Sequence, residues 1–378
     1  MGASRLYLSP PDCGDLEAKA VEGAVRSGWV APLGPEVDAF ESEIARFSGR
    51  THAVALSSGT AALHLGLNAL HVGAGQDVVV PTLTFGATAF AVTYTGASPV
   101  FLDVEPTSWN LDPNLLAAFL SERAAAGTLP RAVITVDVFG RTCDYDRIMP
   151  ICEEYGVPVL ADSAEALGAM HGSRPAGSFG KAAVFSFNGN KIMTTSGGGM
   201  LVTDDAELAA KARFWATQSR ESFPWYEHEE IGFNYRMSNI LAALGRVQLS
   251  RLPEMIVRRR SIRDRYADAL SGVDGVSVMG DPPWGQGNGW LTTMIFDLAL
   301  HPDAPRRVRE ALEARNIESR PIWKPMHLQP VFAGAESLLT GVADRAFKTG
   351  LCLPSGSAMC DDDIERVVEG ILAELDVR

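Results

Sequence analysis

From Ala53 to Thr203 the chain alternates short apolar runs, most of them rich in valine, with longer stretches of helical spacing. Val-rich runs of this kind suit strands buried on both faces, and strands separated by a helix's length of chain belong to crossover units rather than hairpins. Seven runs qualify: AVAL from Ala53, DVVVP from Asp77, PVFLDV from Pro99, AVITVDV from Ala132, PVLAD from Pro158, AVFSF from Ala183 and MLVTD from Met200. Between them TAALHLGLNALHVG, from Thr60, and YDRIMPICEEYG, from Tyr145, show helical periodicity and glycine stops. The pattern predicts an α/β chain whose large domain is built on a seven-stranded, mostly parallel sheet.

Beyond Glu207 the texture changes to longer helices, then a Gly/Pro-rich loop, MGDPPWGQGNG from Met279, then an α+β pattern. A length of 378 residues fits a large domain plus a smaller one. The division is placed at 1–249, with the N-terminal segment, and 250–378. The basic stretch VRRRSIRDRYADAL reads as the solvated face of a helix.

Hydrophobic residues at 46% and charged ones at 21% are ordinary soluble usage. A net charge of −13 argues against a nucleic-acid partner. Backbone N–H groups can still bind a phosphate in an acidic protein. No apolar run approaches the roughly 20 residues of a membrane span, and MGASRLYLSPPDCG lacks a secretory core, which points to a cytoplasmic protein without membrane contact. The five cysteines form no CxxC pair and read as reduced packing residues. The histidines lack metal-ligand spacing, and neither GxGxxG nor GxxxxGK[ST] occurs.

Chemistry concentrates in VFSFNGNKIMTTSGGGM, where Lys191 follows an apolar strand and precedes three glycines. In VPVLADSAEALG another apolar run ends on Asp162. Pyridoxal phosphate needs such a pair, an amine for its aldehyde and a carboxylate to keep its pyridine nitrogen protonated. LSSGTAAL, Leu56 to Leu63, is a strand-to-helix turn with free first N–H groups, suited to phosphate and equally to a plain helix cap. Each candidate has a plainer alternative. Lys191 could be a surface lysine, with Lys181 as competitor; Asp162 could cap a helix; Ser186 could be a buried strand hydroxyl; and Phe85 could be core.

At these residues the sequence resembles the sugar aminotransferases of the DegT/DnrJ/EryC1/StrS family, fold-type I pyridoxal-phosphate enzymes of the aspartate aminotransferase type. The likeness spans nearly the whole chain, through SGWVAPLGPEVDAFE, SSGTAALHLGL, PTLTFGATA, DVFG, ADSAEALGA, GFNYRMSNILAALGRVQL, ESRPIWKPMHLQP and LCLPSG. It implies that Lys191 binds the cofactor's aldehyde and shuttles the proton between Cα and C4′, and that Asp162 holds the pyridinium. Glu165 would lie near the phenolic oxygen and Phe85 would stack on the ring. Gly59, Thr60 and Ser186 would hold the phosphate, and Asn234 would reach it from the neighbouring subunit of a homodimer with shared active sites. Lys324 and His327, in WKPMH, would meet the nucleotide or diphosphate, or else belong to an exposed loop packed on the cofactor domain.

TSGGG stands where the family often has TGEGG, and SFNGN precedes it. Both look like the branch that aminates C4 of UDP-linked 4-keto-6-deoxy-N-acetylhexosamines. The lysine stands where dehydratase members carry histidine. The implied reaction takes the amino group from L-glutamate, passes it through pyridoxamine phosphate and delivers it to the C4 ketone. GDP-perosamine synthases, dTDP-sugar 3- or 4-aminotransferases and a non-catalytic binding protein of the same fold are the alternatives.

Overall fold

The computed structural model describes residues 4–375. Each of the seven runs forms a strand of one sheet: β1 His52–Leu56, β2 Asp77–Pro81, β3 Ser98–Leu102, β4 Ala132–Val136, β5 Val159–Asp162, β6 Ala182–Ser186 and β7 Gly199–Thr203. An eighth, β8 Ser337–Leu338, adds to the edge of β3. The order is β1-β7-β6-β5-β4-β2-β3-β8, and only β7 runs antiparallel to its neighbours. β8 lies in a short polar stretch with no strand pattern. Asp103, just after β3, draws it in by accepting the amides of Thr340, Gly341, Val342 and Ala343 at 2.7–3.1 Å.

The C-terminal region carries a four-stranded antiparallel sheet, ordered Val276–Val278, Thr292–Phe296, Gly350–Leu353 and Arg320–Pro321, with helices Ala304–Ala314 and Asp361–Glu374 packed against it. It encloses its own core, which includes Tyr266, Phe296, Leu312, Leu351 and Val367. Leu6, from the N-terminal segment, joins that core through a bridge to Ile317. A helix of 32 residues, Asn239–Leu270, serves both cores, giving Leu252 and Ile256 to the first and Ile262 and Tyr266 to the second. The division expected at 249/250 therefore falls inside a continuous helix.

The basic stretch within this helix departs from the expected solvated face. Arg259 is 1% exposed and donates to the carbonyls of Trp290 and Ser355, both at 2.9 Å. Arg263 pairs with Asp281 at 2.6 Å and Arg258 with Asp361 at 2.9 Å. The helix runs beneath the second sheet, so its inward arginines spend their donors on backbone carbonyls and carboxylates there rather than on water.

Candidate active site

Parallel strands bring their carboxyl ends to one edge of the sheet, where α/β proteins form ligand crevices. A cavity of about 780 Å³ opens there, and Gly59, Thr60, Phe85, Asp162, Glu165, Ser186 and Lys191 all line it. The other three candidates lie elsewhere. Asn234 is exposed and bridges to Thr217. Lys324 is exposed beside an adjoining depression of about 290 Å³ that shares Phe85 and Trp323 with the cavity. His327 lies between Thr82, at 2.7 Å through Nδ1, and Asp344, at 3.4 Å, and lines neither space.

Lys191 follows β6 in a turn closed by its own amide on the Asn188 carbonyl, at 2.9 Å. The preceding carbonyl, of Asn190, accepts from the Ser9 hydroxyl at 2.9 Å and the Trp290 indole N–H at 2.7 Å. The lysine side chain is 11% exposed, with Nζ 3.0 Å from Glu165 Oε1 and 4.3 Å from the centre of the Trp290 ring. It is therefore no surface lysine. Lys181 is half-exposed and pairs with Asp205 at 2.6 Å, away from the cavity.

Glu165 is buried, and Oε2 accepts the Phe139 amide at 2.7 Å. Burial raises its carboxyl above the usual range, and Lys191 and the Phe139 amide offset only part of the rise. Phe139 holds the left-handed conformation, φ 53° and ψ 24°, which is costly for a residue with a side chain. Gly140 follows because a Cβ there would lie 1.9 Å from Asn288 Oδ1, and Asn288 itself donates to the carbonyls of Glu165 and Leu167.

Asp162 ends β5, buried. Oδ1 accepts the Ala164 amide at 3.1 Å and Oδ2 the Thr88 hydroxyl at 2.7 Å. The segment after it is a series of turns, so Asp162 caps no helix. Burial raises its carboxyl, against hydrogen bonds from Thr88 and Ala164 and the charge of Lys191.

At the opposite wall helix Gly59–Ala69 begins. Its cap, Ser58, accepts the Ala61 amide at 3.0 Å, while the amides of Gly59 and Thr60 precede any intrahelical acceptor. The plain-cap reading holds for Ser58, and Gly59 and Thr60 line the cavity beside it. A Cβ on Gly199, at the start of β7, would come within 2.5 Å of Ser58 and Gly59 backbone atoms. Ser186 is half-buried and lines the cavity. Phe85 is 61% exposed, its ring tilted 60° to that of Trp323 at 5.8 Å between centroids, and so is not core.

An amine beside a buried acid, a second buried carboxylate, an open aromatic face and a helix N-terminus flanked by Gly199 and Ser186 fit pyridoxal phosphate. Lys191 suits its aldehyde, Asp162 its ring nitrogen, Phe85 its ring and the Gly59–Thr60 turn its phosphate. Sequence reading missed other walls of the cavity: Thr84, Thr88, Trp290, Trp323, Arg320 and the N-terminal Tyr7–Pro11 segment. Thr84, Thr88, Arg320 and Trp323 lie in segments the sequence had marked, and Thr88 had in addition its place one helical turn after Phe85.

The profile of the DegT/DnrJ/EryC1/StrS aminotransferase family matches residues 11–372. The chain belongs to this family. It is similar to EpsN of Bacillus subtilis (strain 168), assigned by name to the pyridoxal phosphate-dependent aminotransferases, at 47% identity over 97% of this chain and 95% of that one. It is 35% identical to the GDP-perosamine synthase of Caulobacter vibrioides, over 97% of both chains. Among solved structures it is similar to DesI, crystallised with its TDP-sugar product, at 33% identity and a TM-score of 0.88 over 99% of this chain and 94% of that one.

This member of the DegT/DnrJ/EryC1/StrS family is thus a sugar aminotransferase of the fold-type I class, and its cofactor is pyridoxal phosphate. Among the described residues no helix is long and apolar enough to cross a membrane, and no cluster of His, Cys, Asp and Glu could hold a metal ion. Cys143, Cys152 and Cys352 are buried thiols; Cys13 and Cys360 are exposed.

Proposed function

We propose that this enzyme moves an amino group from L-glutamate to the C4 ketone of a nucleotide-linked 4-keto-6-deoxy sugar, with UDP-2-acetamido-2,6-dideoxy-hexos-4-ulose as first candidate. The observation that carries it is the Lys191 amine, held between Glu165 and Trp290 in one cavity with Asp162 and the Gly59–Thr60 turn. Bound pyridoxal phosphate supplies the aldehyde that takes the amino group and the ring that spreads the electrons left behind.

The chain's residues do the rest. Lys191 Nζ would hold the cofactor's aldehyde and, once released, would take and return the substrate's carbon-bound proton, and Glu165 holds that amine in place. Asp162 keeps the ring nitrogen protonated, and Phe85 covers the ring. The Gly59 and Thr60 amides and the Ser186 hydroxyl anchor the phosphate at the positive end of a helix. Asn234, exposed and outside this cavity, fits service to a second copy's phosphate, and we read the enzyme as a cytoplasmic homodimer with shared sites. Lys324, exposed beside the adjoining depression, is assigned to the nucleotide or diphosphate, and His327, expected there too, is assigned to fixing the loop that carries it through Thr82 and Asp344.

Relatives that make GDP-perosamine or bind a TDP-sugar support a nucleotide sugar as acceptor and keep GDP- and dTDP-linked sugars as the alternatives. The test is the visible absorbance of the protein with pyridoxal phosphate. L-glutamate should discharge the band of the lysine-bound cofactor, and only the UDP-N-acetyl sugar should restore it. Restoration by a GDP- or dTDP-linked sugar moves the substrate branch; a band that glutamate cannot discharge sinks the donor assignment.

A further inference from the structure

We propose that Thr88 is a positioning residue for Asp162, and that the Thr84–Thr88 hydroxyl pair holds this carboxyl ionised and aimed into the cavity. The inference rests on the reading above that Asp162 serves the cofactor's ring nitrogen.

Thr84 and Thr88 are both 1% exposed and both line the cavity. Their hydroxyls are 2.7 Å apart, and Thr88 Oγ1 is 2.7 Å from Asp162 Oδ2. The direction of these bonds follows from the acid's state. An ionised carboxylate can only accept, so Thr88 donates to it and accepts in turn from Thr84. Every hydroxyl hydrogen of the pair then has a close acceptor.

Were the proton on Asp162 Oδ2, the relay would reverse. Asp162 would donate to Thr88, Thr88 to Thr84, and the Thr84 hydrogen would be left with the Phe85 carbonyl at 3.4 Å. That distance is well past a good O–H···O bond. The chain of hydroxyls is therefore better satisfied with a charged Asp162, and in a dry site its members polarise one another.

Such a bias is needed here. Burial pushes the Asp162 carboxyl upward, and Thr88, the Ala164 amide and Lys191 act the other way, while the charge of Asp162 raises the neighbouring carboxyls of Glu165 and Asp137. Thr88 also lies in the first turn of helix Gly86–Tyr94, directly after Phe85. One helical turn thus sets both the ring-facing aromatic and the donor that fixes the acid beneath it.

The test uses the full chain loaded with pyridoxal phosphate labelled with nitrogen-15 at the ring. Thr88→Val removes the hydroxyl, and Thr88→Ser keeps it while removing the methyl. In Thr88→Val the ring nitrogen should lose its proton at lower pH than in wild type, because an acid that has lost its donor ionises less readily. The glutamate half-reaction should slow about ten- to a hundredfold, the usual scale for a hydrogen bond to a charged group. Its isotope effect with Cα-deuterated glutamate should rise. Thr88→Ser should lie close to wild type in all three readouts.

If Thr88→Val leaves the nitrogen titration and the half-reaction at wild-type values, or if Thr88→Ser is as impaired as Thr88→Val, the hydroxyl has no such role. A wild-type enzyme whose ring nitrogen is unprotonated near neutrality would overturn the reading of Asp162 itself. That failure shows in the unmutated protein, whereas failure of the Thr88 inference shows only in the variants.

Discussion

The inner end of the cavity and its rim are built differently. Inside, Asp162, Glu165 and Thr88 sit at strand ends or in the turns and first helical turns next to them, buried, each with two close hydrogen-bond or ion-pair partners. At the rim, Arg320 is two-thirds exposed and tied to Glu318, and Lys324 projects from a loop. The inner groups are over-determined, as a reaction centre requires. The rim groups, on exposed segments, are less constrained.

The contrast breaks first at Lys191. Lys191→Ala should abolish the absorbance band of the lysine-bound cofactor and slow transamination by about a thousandfold or more, the scale of losing a positioned proton-transfer group. A variant that kept the band would end the assignment of the inner wall. Next comes Asp103, which joins the segment after β8 to the main sheet through four backbone amides and the Thr340 hydroxyl, and accepts the Val104 amide as well. Replacing it with Ala should cost about 3 kcal/mol in denaturant unfolding, since buried amides are left unpaired.

Its pH dependence has a definite sign. Burial pushes the Asp103 carboxyl up, but the amides of Val104, Ala343, Thr340 and Gly341 outweigh that and hold it below the ordinary range. The folded state therefore binds the proton less readily than the unfolded one. The stability gap between wild type and Asp103→Ala should be full above the ordinary carboxylate value of about 3.9 and shrink as pH falls through the lower folded value. A gap that stayed constant with pH would contradict the amide cluster.

Gly199→Ala tests the phosphate end, because the added methyl meets backbone rather than a movable side chain. A loss of about 1–3 kcal/mol in stability, with weaker pyridoxal phosphate binding by equilibrium dialysis, is expected. The smallest effect belongs to the rim. Lys324→Ala should raise KM for the nucleotide sugar about tenfold, as for a lost charged contact, and leave KM for glutamate alone. An equal rise in both would erase the distinction between the two regions.

The seven main strands were legible because burial on both faces demands nearly continuous apolar residues. β8 was not, since a two-residue strand leaves no period to read and is held by tertiary contacts, the amides in and just after β3 on the Glu336 and Leu338 carbonyls and the Asp103 carboxylate on the amides that follow. Lys191 and Asp162 stood out because the chemistry admits few residue types. Trp290 and the Tyr7–Pro11 segment reach the lysine through tertiary contacts that leave no local pattern. The basic helix misled because charge was taken as exposure, yet Val257 is 67% exposed while Arg259 is 1% exposed. Two positions along a helix are about 200° apart, so the backbone's rotation, not the residue's polarity, decided which side faced inward.

The cavity wall runs in sequence from Tyr7 to Cys352, and the Leu8 amide closes on Glu318 at 3.0 Å. During synthesis the main sheet can be complete to β7 while the chain still lacks the Trp290, Trp323 and Cys352 walls. A nascent chain on the ribosome therefore holds its lysine and aspartate long before it holds a closed pocket for them. Contacts of such long sequence separation form late in folding. A prematurely ended chain then keeps Lys191 and Asp162 without the walls that enclose them.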